Sequence, residues 1–372
     1  MEFKCKKQSL EHAVLTVGKA APIKPLSNVP EGIFLKAEND KLFLRGYNLE
    51  FGITTQIPAL VKKEGEIILG AKIFSDITKK ASGEQINVQV NENLLANITS
   101  CQSKFSITGM SADLYPKLPQ VENPQKITIE GQELKSMIEQ TLFAVAPSNT
   151  NSNPVYTGTL FDVEKNSLKL VSVDGYRMAT REETIKNDKK LSFIVPGKVL
   201  AEISKLLPEK EEVLLSVGRN HALFSFLKYN LVSRLIEGSF LDYKSSVPKS
   251  HLTKVFVSTN KLIGAIERVS LVATDNSKNP IRLILQNSKL KVSCNTSCGR
   301  ANDEILVKKD GDNLEIGLNS KYLIDALRNT KGDVIQMLFS GALAPIKILP
   351  QDGENFMFLV LPVMIKPEAQ EN

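Results

Sequence analysis

The chain has 372 residues, enough for two or three domains that each bury a core, and its 42% hydrophobic and 24% charged residues are those of an ordinary globular protein. No apolar run reaches the ~18 residues of a membrane span, the opening MEFKCKKQSL lacks the apolar stretch of a secretory leader, and four scattered cysteines are too few for a disulfide framework and read as reduced thiols of the cytoplasm. The net charge of +6 permits a polyanionic partner without demanding one.

Read in chain order, one phrase recurs at intervals of about 125 residues, the size of a domain and too long for a solenoid unit. It opens as FKCKKQSLEHAVLTV (3–17), then ITIEGQELKSMIEQTLFAV (127–145), then VFVSTNKLIGAIERVSLVA (255–273). Each time a short alternating strand runs into a helix with one apolar stripe at i, i+3, i+4, i+7: Leu10, Ala13, Val14 and Val17; Leu134, Met137, Ile138 and Thr141; Leu262, Ala265, Ile266 and Val269. Each repeat then offers a second strand and helix: EIILGAKIFSDITKKA (66–81), LSFIVPGKVLAEISKLL (191–207) and LEIGLNSKYLIDALRN (314–329). Between the helices, KLFLRG, INVQV, LKLVSV and LKVSC alternate with period two, as antiparallel strands with a core face and a wet face do. Pro and polar residues interrupt the pattern at 121–125 and 246–253. The expected organisation is therefore α+β, with three repeated domains at 1–122, 127–250 and 254–372, each made of two strand-helix-strands halves.

The helices carry basic residues in register. Lys72, Lys198 and Lys321 stand just before the apolar run of the three second halves, and Lys79, Lys205 and Arg328 follow seven residues on, on one face away from the stripe. The first-half helices add Lys19, Lys135, Lys261 and Arg268. On any single helix a solvated lysine needs no explanation; recurrence across three repeats points to a shared purpose. If six helices face one way, their basic residues form a positive concave wall for phosphate backbones, without base readout. Clad helices are ~10 Å across, so six in a ring leave a hole of roughly 9 Å, while twelve leave roughly 28 Å, which admits a duplex. One chain cannot encircle DNA; two can.

The threefold repeat, with VSVDGYRMA (171–179), EGSFLDYKSSVP (237–248) and the C-terminal FLVLPVMI (358–365), resembles the bacterial DNA polymerase III beta-subunit family, the sliding clamps, over essentially the whole length. The resemblance implies a head-to-tail homodimer closed round double-stranded DNA, helices lining the inside of the ring and antiparallel sheets outside. It also implies a non-catalytic processivity role, and a pocket that takes short linear motifs from the DNA polymerase III alpha subunit, the clamp loader and repair polymerases. Carried onto this sequence, the pocket takes Tyr156, Val173, Gly175, Tyr176, Arg177, Met178, Leu241, Pro345 and the run Val360, Leu361, Pro362, Val363 and Met364. By the same resemblance, Lys104 and Phe105 of one chain would face Leu271 and Val272 of the other across the dimer seam. The chain departs from the family's best-known members at Leu241, where they carry Pro, and at Tyr176, where they often carry His. It also departs at Ile365, where many carry Arg, in the extra tail KPEAQEN (366–372), and in its net positive charge.

Taken without the resemblance, Asp174–Gly175 is a hairpin turn, and Pro362, which lacks an N–H, marks the edge or exit of a last strand. An enzyme is the rival class. Yet His12, His221 and His251 lie near no nucleophile motif, and no G-x-x-x-x-G-K-[ST] is present for ATP. Asp113, Asp174 and Asp242 sit in turns without paired-carboxylate spacing. Cys294 and Cys298, four apart in a strand-like segment, would share a face, with no His to complete a metal site. No cofactor is expected. The remaining alternative is a non-clamp DNA-binding or scaffold protein of repeated α+β domains.

Overall fold

The periodic stripes become six α-helices in a computed structural model that describes residues 1–22, 30–149, 153–273 and 280–365; KPEAQEN lies outside the described residues. They are α1 (Lys7–Val17), α2 (Ala71–Lys80), α3 (Gly131–Leu142), α4 (Gly197–Leu206), α5 (Thr259–Ser270) and α6 (Ser320–Arg328). Every stripe residue named above is buried, so one face of each helix supplies the core. The α6 start is fixed by Asn319, whose side-chain oxygen accepts the N–H groups of Lys321 (3.0 Å) and Tyr322 (3.3 Å).

Among the described residues all strand pairings are antiparallel, as the period-two segments predict. The chain forms two compact units, residues 1–132 with 202–235, and residues 133–201 with 236–372. Unit 1 holds a five-stranded sheet, with Ser103–Thr108 at one edge, and an eight-stranded sheet. In the latter, the hairpin Lys41–Tyr47 and Phe51–Pro58 is continued by Tyr229–Arg234 through pairs such as Thr54 with Asn230. Unit 2 holds a four-stranded sheet, with Gly299–Leu306 at one edge, and a nine-stranded sheet. In that larger sheet the hairpin Ser167–Val173 and Arg177–Thr184 is continued by Phe356–Val360, Arg177 lying opposite Val360.

The middle repeat is thus divided. Its strands Gln125–Glu130 and Glu212–Val217 extend the sheet begun by the first repeat, and Gly158–Glu164 and Leu191–Pro196 belong to the sheet completed by the third. A sheet that runs on from one repeat into the next leaves no unpaired edge at the joint, which a string of closed domains would have to cover by other means.

One sequence expectation fails locally. Cys294 lies buried on Lys289–Thr296, but Cys298 is exposed in the turn before Gly299–Leu306. The hairpin turns between them, so the two thiols do not share a strand face.

Candidate partner groove, basic helices and edge strands

The groove in unit 2 begins with a turn. Asp174 accepts the N–H groups of Tyr176 (2.9 Å) and Arg177 (3.0 Å) through Oδ1, and Gly175 takes φ +92°, a left-handed conformation that glycine adopts without a Cβ penalty. This places Tyr176 outward and starts the next strand at Arg177. The Arg177 guanidinium is then fixed from two sides. Its Nε donates to Asp174 Oδ2 at 2.9 Å and its Nη1 to Asp325 Oδ2, on α6, at 2.7 Å. It lies 4.7 Å over the Tyr322 ring and 5.4 Å from that of Phe143. Tyr176 stacks on Tyr322 at 5.6 Å. Burial, with the Asp174 charge behind it, raises the Tyr322 phenol above its ordinary value and keeps it neutral.

Below this wall is an apolar floor. Val173 and Met178 are buried in one cluster with Leu359, and Tyr156 and Leu241 pack against it. Tyr156 meets Phe240 edge-on at 5.8 Å. The last strand ends at Val360, which is itself buried. The strand is paired on both sides, so Pro362 marks its end and not a sheet edge: the Leu361 N–H donates to Tyr176 O (2.9 Å), Pro362 bridges Leu318, and the Val363 N–H donates to Gly317 O (2.8 Å). Leu361, Val363 and Met364 stay exposed, Met364 at 87%. Half-buried Pro345 precedes Ile346, which pairs with Val360.

Of the thirteen residues expected here, Val173, Met178 and Val360 therefore form floor and core, while Tyr176, Leu361, Val363 and Met364 supply the accessible apolar surface. Sequence reasoning missed Tyr322, Asp325 and Phe143, which hold Arg177 and Tyr176 in place. The only local signal was the i, i+3 spacing of Asp174 and Arg177; the other partners come from remote segments. With its charge met by two carboxylates, Arg177 shapes the wall more than it offers free charge to a ligand. The groove suits an extended, mainly apolar peptide with a few polar orienters.

The ten basic positions divide by partner. Lys72, Lys79, Lys198, Lys205, Lys261, Arg268, Lys321 and Arg328 are exposed on helices. Lys135 is half-buried on α3, and Lys19 lies on a 3₁₀ turn, Gly18–Ala20, just past α1. Among the described residues three are matched by acids: Lys205 with Glu202 (2.8 Å), Arg268 with Asp303 (2.6 Å) and Arg328 with Glu267 (2.7 Å). Such exposed pairs are weak and open readily to a competing phosphate.

Lys104 and Phe105 lie on the edge strand Ser103–Thr108 of unit 1. Leu271 and Val272 follow α5 in unit 2, where the Val272 carbonyl accepts from Thr296 Oγ1 (2.7 Å) beside the edge strand Gly299–Leu306. Leu271 is 84% exposed and Leu306 78%. Among the described residues no helix is long and apolar enough to cross a membrane.

Comparison with known proteins matches three family models in chain order: the DNA polymerase III beta subunit N-terminal domain at residues 1–119, its central domain at 128–242 and its C-terminal domain at 244–364. The beta sliding clamp of Bacillus subtilis (strain 168) is 31% identical over 377 residues, covering 98% of this chain and 99% of that one. The crystal structure of the DNA polymerase sliding clamp from Bacillus subtilis superimposes with a TM-score of 0.94 at 30% identity, over 98% of this chain and 100% of that chain. A putative DNA polymerase III beta subunit from Eubacterium rectale gives 0.91 at 33% identity, over 98% and 99%. The chain is accordingly three clamp domains of α+β type with a non-catalytic role in DNA replication. It belongs to the DNA polymerase III beta-subunit family, the beta sliding clamps.

Proposed function

We propose that two copies of the chain, each with domains at 1–122, 127–250 and 254–372, close head to tail into a ring round double-stranded DNA. The ring tethers the DNA polymerase III alpha subunit, the clamp loader and repair polymerases through short linear motifs docked in the unit 2 groove, and it acts in the cytoplasm. The observation that carries this reading is the pair of open edge strands, Ser103–Thr108 with half-buried Phe105, and Gly299–Leu306 with exposed Leu306 and, nearby, exposed Leu271. An uncovered, apolar sheet edge is an aggregation hazard unless another strand pairs with it, and Leu271 and Leu306 beside one edge match Phe105 on the other. The recurring lysines then face phosphates without reading sequence, and retention depends on topology.

The test is retention on DNA after loading by a bacterial clamp loader with ATP. The protein should stay on closed circular plasmid and leave once the plasmid is cut. Leu271→Ala with Val272→Ala should sediment as a monomer and lose that retention. Equal retention on linear and circular DNA, or a wild-type chain that sediments as a monomer at micromolar concentration, sinks the ring.

A further inference from the structure

Unit 1 holds a second groove, on the eight-stranded sheet, with a volume of about 1100 Å³. It is assembled from the repeat parts that build the unit 2 groove: a hairpin, the last strand of the following repeat, and a connector ending in a buried tyrosine, here Tyr115. Its chemistry differs. Arg45 lies between Leu44, buried, and Gly46, whose Cβ position is filled by the Val17 carbonyl at the end of α1, so Arg45 stands on the opposite face of the sheet, in the groove. Its guanidinium lies 4.3 Å over Phe34 and 5.6 Å from Tyr115, and its Nη1 donates to the Pro116 carbonyl at 3.4 Å. Among the described residues no carboxylate comes within ion-pair distance of it. Burial lowers its affinity for the proton.

The lining as a whole stays cationic, with Lys36, Arg45, Lys117 and Lys228 against Glu38, Glu66 and Asp113, and Glu66 acts on Arg45 only from beyond ion-pair distance. Lys36 is held by Glu38 (2.9 Å) and Glu66 (3.6 Å). Asp113 accepts from Ser111 Oγ within its own turn (3.1 Å). Lys117 and Lys228 form no ion pair among the described residues, and Lys228 lies over the Tyr229 ring at 5.6 Å. Exposed Phe43 and Leu227 complete an apolar rim. A partly desolvated cation flanked by rings, with no carboxylate in contact among the described residues, is poised for a carboxylate arriving from outside, which a planar guanidinium meets with two parallel N–H donors.

We propose that this groove is a second docking site, taking an extended acidic–aromatic peptide segment of a protein partner. A carboxylate meets Arg45, further acids face Lys117 and Lys228, and an apolar side chain rests on Phe43 and Leu227. The charge match selects this occupant over a basic or uncharged segment. The site is independent of the unit 2 groove and does not rest on the ring.

The experiment uses the full chain with the unit 2 groove disabled by Leu361→Ala and Met364→Ala, probed with a phage-displayed random dodecapeptide library. Sequences pairing Asp or Glu with an aromatic or leucine should be enriched. A labelled peptide from that set should bind about tenfold or more weakly to Arg45→Gln, the loss of one charged hydrogen-bonded pair, by fluorescence anisotropy. Lys117→Glu with Lys228→Glu, both at exposed positions where folding is not at stake, should weaken it in the same direction. No enrichment, enrichment of basic or uncharged sequences, or equal binding by the Arg45→Gln chain overturns the proposal.

Discussion

In unit 2 the hairpin arginine, Arg177, meets two carboxylates and two rings; in unit 1 Arg45 meets two rings and, among the described residues, no carboxylate. The turns beside them show how the repeats diverged. Asn48 Oδ1 accepts the N–H groups of Glu50 (3.1 Å) and Phe51 (2.8 Å), as Asp174 Oδ1 accepts those of Tyr176 and Arg177. An amide and a carboxylate serve the backbone equally well. Only the carboxylate brings the second oxygen and the charge that hold an arginine three residues on, and there unit 1 has Phe51. Local turn chemistry was kept while the electrostatics moved: unit 2 spends its arginine on fixing a wall, and unit 1 leaves one available.

The sharpest way to break the comparison is to remove both arginines in turn. The Arg177 and Asp174 side chains are only 10% and 8% exposed. Arg177→Gln leaves Asp174 largely buried without its partner and Asp325 without its own, which costs about 3–5 kcal/mol by analogy with other broken buried pairs. Arg45→Gln loses a cation–ring contact and strands no carboxylate, so it should cost roughly 1 kcal/mol. Urea unfolding of the two variants measures the gap. Equal losses would mean that Arg45 has a counter-ion in solution.

The connector tyrosines sharpen it next. Tyr115 Oη accepts the Tyr47 N–H (2.9 Å) and donates to the Gly32 carbonyl (3.2 Å), whereas Tyr243 donates to Asp162 Oδ2 (2.7 Å). Burial pushes the Tyr115 phenol up to about 12; burial first, then the Asp162 bond, raises that of Tyr243. Tyr115→Phe strands a buried N–H and should cost about 1–3 kcal/mol at pH 8. The unfolded phenol ionises near pH 10 while the folded one holds its proton, so the unfolded state binds fewer protons and the wild-type chain loses stability as pH rises from 10 towards 12. The phenylalanine variant lacks this loss. The gap between the two chains should narrow by about 1 kcal/mol between pH 8 and pH 11; a gap independent of pH would show that Tyr115 titrates normally.

Much of this was legible in the sequence. The i, i+3, i+4, i+7 stripes fixed which helix faces bury, because helical period and burial are local facts, and the exit of the chain at Pro362 followed from its missing N–H. What escaped were partners far apart in sequence. Nothing near Arg177 points to Asp325 or Phe143, and nothing near Arg328 announces Glu267. The division of the middle repeat between two sheets was hidden too, since Asn230 pairs with Thr54 at a separation of 176 residues. Of the basic register, Lys135 is half-buried on its helix, and Lys19 lies past its helix because the stripe ends at Val17.

The smallest effect tests the turns themselves. Gly175 and Leu49 occupy matching places in the two hairpins, and both have positive φ, +92° and +73°. Within 4 Å of a Cβ built on Gly175 there is no other atom, so Gly175→Ala meets no steric obstacle and isolates the backbone term. An L-residue in the left-handed region costs about 1 kcal/mol, partly offset by the freedom the unfolded glycine loses, and the variant should be destabilised by about 1 kcal/mol or less. Leu49→Gly runs the change backwards. It relieves the same strain but gives the unfolded chain more freedom, so it should lie within about 0.5 kcal/mol of the parent. Urea midpoints of the two variants decide the matter. If Gly175→Ala is neutral, the unit 2 turn does not hold its left-handed residue in solution, and Tyr176 is not presented by the backbone in the way that distinguishes it from Glu50 in unit 1.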